Sequence, residues 1–151
     1  MSDVQLYVYD LSKGLARSFG PMLGLSIEGV WHSAIVVHGK EIYFGQGIHV
    51  CDAGKTHLGA AEKVEQLGKT ELPWEIIAEY LEDINERWSA EKYHLLEHNC
   101  NHFSAYLSEF LTGAGIPLYV SSVASQVAAT PFGQMLSQQL AFNNGGATWV
   151  P

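Results

Sequence analysis

The sequence predicts an α+β domain, and three observations predict it. Short β-branched and aromatic runs fill the first half, helical spacing of apolar residues takes over from Pro73, and the 151-residue length fits one domain. A domain of this size buries about 68–70% of its unfolded surface, so it needs no disulfide or metal to fold.

Val4 to Tyr9 (VQLYVY) reads as the first strand. Leu11 to Gly24 carries Gly14, Gly20, Pro21 and Gly24 and reads as a loop or short helical turn. A second strand is expected over about Ile27 to Val37, with Trp31, His32 and Ser33 in its middle. His38-Gly39 then turn the chain into a third strand, Glu41 to Phe44, as a hairpin. Glycines punctuate the next stretch, with short strands expected near Ile48–Cys51 and Lys63–Leu67.

The clearest helix begins near Pro73, with proline in the first turn. Ile76, Ile77, Tyr80, Leu81, Ile84 and Trp88 recur at helical spacing, and Glu75, Glu79, Glu82 and Glu86 take the other face. Lys92 to Leu96 reads as a short strand or extended stretch. A second helix opens near Asn99, carries Phe103, Leu107, Phe110 and Leu111 on one stripe, and stops at Gly113. A third helical region covers Ser121 to Ala129, and a fourth starts at Thr130-Pro131.

Eight Lys+Arg against sixteen Asp+Glu give a net charge of −8, which argues against nucleic acid or an anionic membrane as partner. The opening MSDVQLYVYD has neither a basic segment nor a long apolar run, so no secretory leader is expected. No apolar run is long enough to cross a membrane. The expectation is therefore a reducing compartment, with Cys51 and Cys100 as thiols.

Glu97-His98-Asn99-Cys100-Asn101-His102-Phe103 is the most informative segment. It puts Cys100 in the first turn of an amphipathic helix, where free N–H groups and the helix dipole stabilise a thiolate. The same N–H groups suit the oxyanion of a tetrahedral intermediate, and that of Cys100 or Asn101 is the expected donor. Buried free cysteines are more often small core residues, so position alone leaves both readings open. Seven histidines compete as the base. His32 differs from the rest in interrupting a hydrophobic strand, which would hold its imidazole rigidly. His38, His49, His57, His94, His98 and His102 read as turn, loop or surface residues. Zinc is weighed because His94, His98, Cys100 and His102 are crowded, but a helix turns Cys100 roughly 200° from His98. No metal or other cofactor is expected. Asn99 is read as an N-cap and Trp31 as a packing residue.

VQLYVYDLSKGLARSF, GVWHSAIVV, EHNCNHFS, FLTGAGIP and ATPFGQML, in that order, resemble the PPPDE family of desumoylating isopeptidases over about Val4 to Leu136. The resemblance implies a permuted papain-like cysteine peptidase fold, with a small antiparallel sheet or barrel packed against a helical part. It implies Cys100 as nucleophile and His32 as catalytic histidine. Apart from the resemblance, Asn99, Asn101 and Trp31 are candidate oxyanion or supporting residues on their position in the sequence. The resemblance further implies a homodimer. The peptidase domain is expected over residues 1–141, with the mostly small and polar residues 142–151 as a flexible tail, and the expected location is cytoplasmic and also nuclear. The substrates implied are proteins conjugated through lysine to SUMO or ubiquitin. A thioesterase acting on S-acylated cysteine and a non-catalytic binder of a ubiquitin-like protein are the competing functions. Leu136, Leu140 and Phe142 fit either an export signal or a last packing helix, and Cys51 is read as structural. Gly-x-Gly-x-x-Gly and Gly-x-Ser-x-Gly patterns are absent, which leaves no sign of a nucleotide site or a serine nucleophile.

Overall fold

The computed structural model describes residues 1–23, 28–129, 131 and 135. Strands β1 (Ser2–Asp10), β2 (Trp31–Val37), β3 (Lys40–Gly45), β4 (Gly47–Asp52) and β5 (Lys63–Thr70) form an antiparallel sheet in the order β4-β3-β2-β1-β5. The helices are α1 (Leu15–Phe19), α2 (Trp74–Asp83), α3 (Cys100–Thr112), α4 (Leu118–Ser121) and α5 (Val123–Ala128).

The β2–β3 hairpin turns as expected on His38 and Gly39, which both take positive φ, 52° and 73°. A side chain at φ 52° is mildly strained, and the His38 ring is tied down by a 2.8 Å contact between its Nε2 and the Leu72 carbonyl. On the other side of the sheet, β1 and β5 slip register between Val4 and Gln5. That irregularity lies opposite Gly68, whose φ of 146° suits glycine.

Strand alternation gives each face its lining. Val4, Leu6 and Val8 of β1, Trp31, Ile35 and Val37 of β2, and Ile42 and Phe44 of β3 face the helices, where Ile77, Leu81, Phe103, Leu107 and Leu111 cover them. Phe44 sits at the centre, with its ring centroid 5.1 Å from Trp88 and 5.0 Å from Tyr93. The opposite face carries Tyr9, His32, Ala34, Val36, Glu41 and Tyr43, and these are buried too. The connection from β4 to β5 ties onto this face: Gly54 N–H donates to Glu41 Oε1 at 2.9 Å, and Glu62 N–H donates to the Val8 carbonyl at 2.8 Å. Tyr9 Oη donates to the other Glu41 oxygen at 2.6 Å. Burial on both faces explains why β2 reads as a nearly unbroken apolar run in sequence.

Four local expectations change. Pro73 is the N-cap of α2 and lies just outside its first turn, and the apolar stripe to Trp88 ends in a 3₁₀ turn, Asn85–Trp88. Lys92 to Leu96 is not a strand. A 3₁₀ turn at Ala90–Lys92 is followed by a reverse turn that His94 and His98 close through backbone bonds of 3.0 and 2.9 Å. The region around Ser121 to Ala129 is two short helices, α4 and α5. His49 lies on β4, stacked on Tyr43. The helix from Thr130, the start of the second strand at Ile27 and the tail over 142–151 lie outside the described residues, apart from Pro131 and Met135.

Truncating Phe44 removes the ring that Trp88, Tyr93 and Phe103 share. Phe44→Ala should cost about 3–5 kcal/mol, read as a lower urea midpoint.

Candidate active site

Helix α3 starts where its cap allows. Asn99 has extended backbone, and its Oδ1 accepts the N–H groups of Asn101 and His102 at 2.9 and 3.1 Å. His102 Nδ1 returns a bond to the Asn99 N–H at 3.1 Å, closing a capping box with histidine in the place glutamate usually takes. At the other end Gly113 takes left-handed backbone at φ 81° and its N–H bonds Glu109. Cys100 is the first helical residue and is buried. Its own N–H is the one first-turn donor that the Asn99 side chain leaves untouched.

The thiol meets the sheet at an edge that strand pairing leaves open. Leu11 N–H bonds the Val30 carbonyl, which sets the alternation along β1 and β2. His32 then exchanges backbone bonds with Tyr9, and the Ser33 N–H points toward the β3 side. Pairing between β2 and β3 begins only at Ile35 and Ile42, so nothing from β3 meets Ser33. The Cys100 sulfur occupies that gap. Burial pushes its thiol up to about 11, opposed by the N–H groups of Ser33, Cys100 and Asn101 and by the Tyr93 hydroxyl.

Asn101 staples helix to strand. Its Nδ2 donates to the Trp31 carbonyl at 2.8 Å, and its Oδ1 accepts from Ser33 Oγ at 2.7 Å. Ser33 Oγ also lies 2.9 Å from Ser104 Oγ, one turn further along α3. A longer contact of 3.5 Å reaches the Val120 carbonyl on α4. This side chain spans three elements, and its backbone N–H already serves the cap.

His32 neighbours Ser33 in sequence but points to the opposite face of the sheet. Its ring lies between Tyr9 and Tyr43, at centroid distances of 5.7 and 5.3 Å. Both ring nitrogens are buried with no hydrogen-bond partner, so the imidazole is not bonded to the thiol in this arrangement. Burial first, and then the neighbouring His57, lowers its pKa from 6.5 to about 3. Thiol and imidazole are therefore both neutral near pH 7.

Trp31 packs beneath the site, edge-on to Tyr119 at 5.9 Å, with the Lys63 ammonium 4.9 Å above its ring. Asn99 caps, as read from sequence. The remaining histidines around Cys100 have separate structural tasks. His98 stacks on Trp88 at 4.1 Å with its Nε2 at the Arg87 carbonyl, and His94 Nδ1 accepts the N–H groups of Leu96 and Glu97. His94 and His98 are half-buried where the sequence suggests surface residues, because each ring holds a turn in place; His102 is exposed as expected and also serves the cap. Cys51, partly exposed on β4, has its thiol pushed up by burial and by Glu41 and Asp52. Sequence reasoning missed Tyr93 and Ser33. Neither carries a local signal, and both reach the thiol through tertiary packing.

A buried thiol on a capped helix N-terminus, pressed against an antiparallel sheet and surrounded by N–H donors, belongs to the class of cysteine-dependent hydrolases. The PPPDE putative peptidase domain matches residues 2–141, and the chain belongs to that family. Desumoylating isopeptidase 1 of Homo sapiens is 52% identical over 136 residues, covering 88% of this chain and 81% of that protein. The protein of the same name from Rattus norvegicus gives the same figures, 52% over 136 residues with 88% and 81% covered. That from Xenopus laevis is 48% identical over 136 residues, with 88% and 80% covered.

Two measurements check this geometry. Between its unfolded value of 6.5 and its folded value of about 3, His32 binds a proton only in the unfolded chain. Its contribution to stability is complete above pH 6.5 and is lost as pH falls toward 3. The loss of urea stability from about pH 7 to about pH 4 should thus be shallower in His32→Phe than in wild type. Asn101→Ala strands the Trp31 carbonyl and leaves the Ser33 hydroxyl with Ser104 alone, and should lower the unfolding free energy by about 1–3 kcal/mol in the same assay.

Proposed function

We propose that the chain is a thiol isopeptidase that removes SUMO from lysine side chains, with Cys100 as nucleophile and His32 as general base. The observation that carries this reading is the convergence of backbone N–H groups on a buried thiol at the start of α3. The substrate follows from the relatives, whose name specifies desumoylation.

The reaction starts from a neutral pair. His32 accepts the thiol proton as Cys100 Sγ attacks the carbonyl carbon of the isopeptide, and the carbonyl electron pair moves to oxygen. A buried, unprotonated imidazole is in the right state to take that proton. Engagement requires the His32 ring and the thiol to come together across the gap beside Ser33, and substrate binding is the natural trigger. Collapse of the tetrahedral species breaks the C–N bond, and the imidazolium protonates the departing lysine amine. Water, deprotonated by His32, then releases the thioester. The Cys100 N–H, free of the Asn99 cap, is the first oxyanion donor in this scheme. Asn101 acts through position, holding the first turn of α3 against Trp31 and Ser33. On family resemblance the proposal extends to a homodimer with the site near the subunit interface and to action on ubiquitin conjugates; it extends also to a cytoplasmic and nuclear location.

Hydrolysis of a lysine conjugate of SUMO, with the matching ubiquitin conjugate as comparator, tests the reading. Wild type should cleave the SUMO conjugate, Cys100→Ser should lose at least about 10³-fold in kcat, and His32→Ala about 10²–10⁴-fold. Unchanged turnover by Cys100→Ser would overturn the assignment.

A further inference from the structure

We propose that the hydroxyl of Tyr93 is a catalytic hydrogen-bond donor to the oxyanion, completing with the Cys100 N–H a two-donor hole. The proposal rests on Cys100 being the nucleophile, and it names a residue that the dyad does not include.

Three observations support it. First, the Tyr93 hydroxyl is buried and has no well-formed hydrogen bond within the protein. A buried hydroxyl without a partner is costly, and such groups are kept where a ligand or reaction supplies the partner. Second, its polar neighbour is the Cys100 sulfur, which interacts with it directly. A neutral thiol is a weak acceptor, so the phenol is poorly matched to the resting state and well matched to an anion two bonds from that sulfur. Third, the ring is fixed. Phe44 lies 5.0 Å away, and the turn that follows is closed by His94 and His98 immediately before the α3 cap. A donor locked in place gives more stabilisation to developing charge than one that must reorganise.

The remaining groups around the sulfur are already committed. The Asn101 N–H serves Asn99, and the Asn101 amide serves Trp31. Burial, followed by the neighbouring Cys100, raises the Tyr93 pKa well above 10, so the phenol keeps its proton through the reaction. In the addition step the C–S bond forms and the carbonyl π pair moves to oxygen. Tyr93 donates a hydrogen bond to that oxygen without transferring its proton. When the C=O bond re-forms and the C–N bond breaks, the hydrogen bond is released and the proton for the amine comes from His32.

Tyr93→Phe tests this with two readouts on the same protein. One is hydrolysis of SUMO carrying a C-terminal aminocoumarin. The other is alkylation of Cys100 by iodoacetamide, a displacement that forms no oxyanion. The expected result is a fall in kcat of about 10²–10³-fold with little change in KM. Alkylation near neutral pH should slow by less than about tenfold, the effect of a thiol shift of one unit or less. Turnover within about threefold of wild type would overturn the proposal. So would equal losses in both readouts, since Tyr93 would then act on the thiol alone. Should Tyr93→Phe fold poorly, 3-fluorotyrosine at this position keeps the ring and makes a stronger donor; a kcat identical to wild type would overturn the proposal, and a changed kcat with unchanged alkylation would support it. Cys100→Ser, run alongside, fails both readouts if Cys100 is the nucleophile. If it hydrolyses normally, the underlying reading falls and not the role of Tyr93 alone.

Discussion

The first turn of α3 must lie against a stretch of β2 that has no strand beside it, and the site depends on this constraint. β2 and β3 part below Ile35, which leaves the Ser33 N–H without a strand partner. A buried N–H cannot go unsatisfied at low cost, so something polar has to fill the gap. The Cys100 thiol does so, while Asn101 reaches past it to the Trp31 carbonyl and the Ser33 hydroxyl. Satisfying the strand and positioning the nucleophile are thus one act. The cap formed by Asn99 and His102 fixes the direction of the helix while leaving the Cys100 N–H outside its bonds.

The electrostatic consequence is a site that rests in its neutral form. Burial acts on both partners, raising the thiol and lowering the imidazole, and each shift disfavours a thiolate–imidazolium pair. The two side chains also start apart: the thiol lies at the open edge of β2 beside the Ser33 N–H, and the imidazole on the face that Tyr9 and Tyr43 share. The imidazole sits in an aromatic slot between Tyr9 and Tyr43, beneath a connection tied down by Glu41. A free thiolate in the cell is a target for oxidation, and a thiol held neutral until substrate arrives is protected from it.

Much of this was legible in the sequence because it is local. Asn99 and Gly113 bracket α3, and both behave as a cap and a stop should. The apolar run over β2 signalled a buried strand, and His38-Gly39 signalled its hairpin. What escaped was non-local or multiply determined. Lys92 to Leu96 has strand composition, yet its backbone bonds locally, through the reverse turn that His94 and His98 close. His102 is a surface residue, and its part in the cap shows only in the reciprocal bond to Asn99. Tyr93 and Ser33 have nothing in their neighbours to single them out, because their roles come from where the chain returns. Strand alternation does place His32 and Ser33 on opposite faces from sequence alone. Which face the thiol would meet depended on the gap beside β3, and no local pattern encodes that.

The central claim is that the thiol at the start of α3 attacks the C-terminal glycyl carbonyl of a ubiquitin-like modifier. The most direct measurement is to treat the folded protein with SUMO bearing a C-terminal propargylamide and to locate the adduct by peptide mass spectrometry. The account predicts a single vinyl thioether on Cys100. An adduct on Cys51, or a folded protein whose Cys100 stays unmodified, would contradict it.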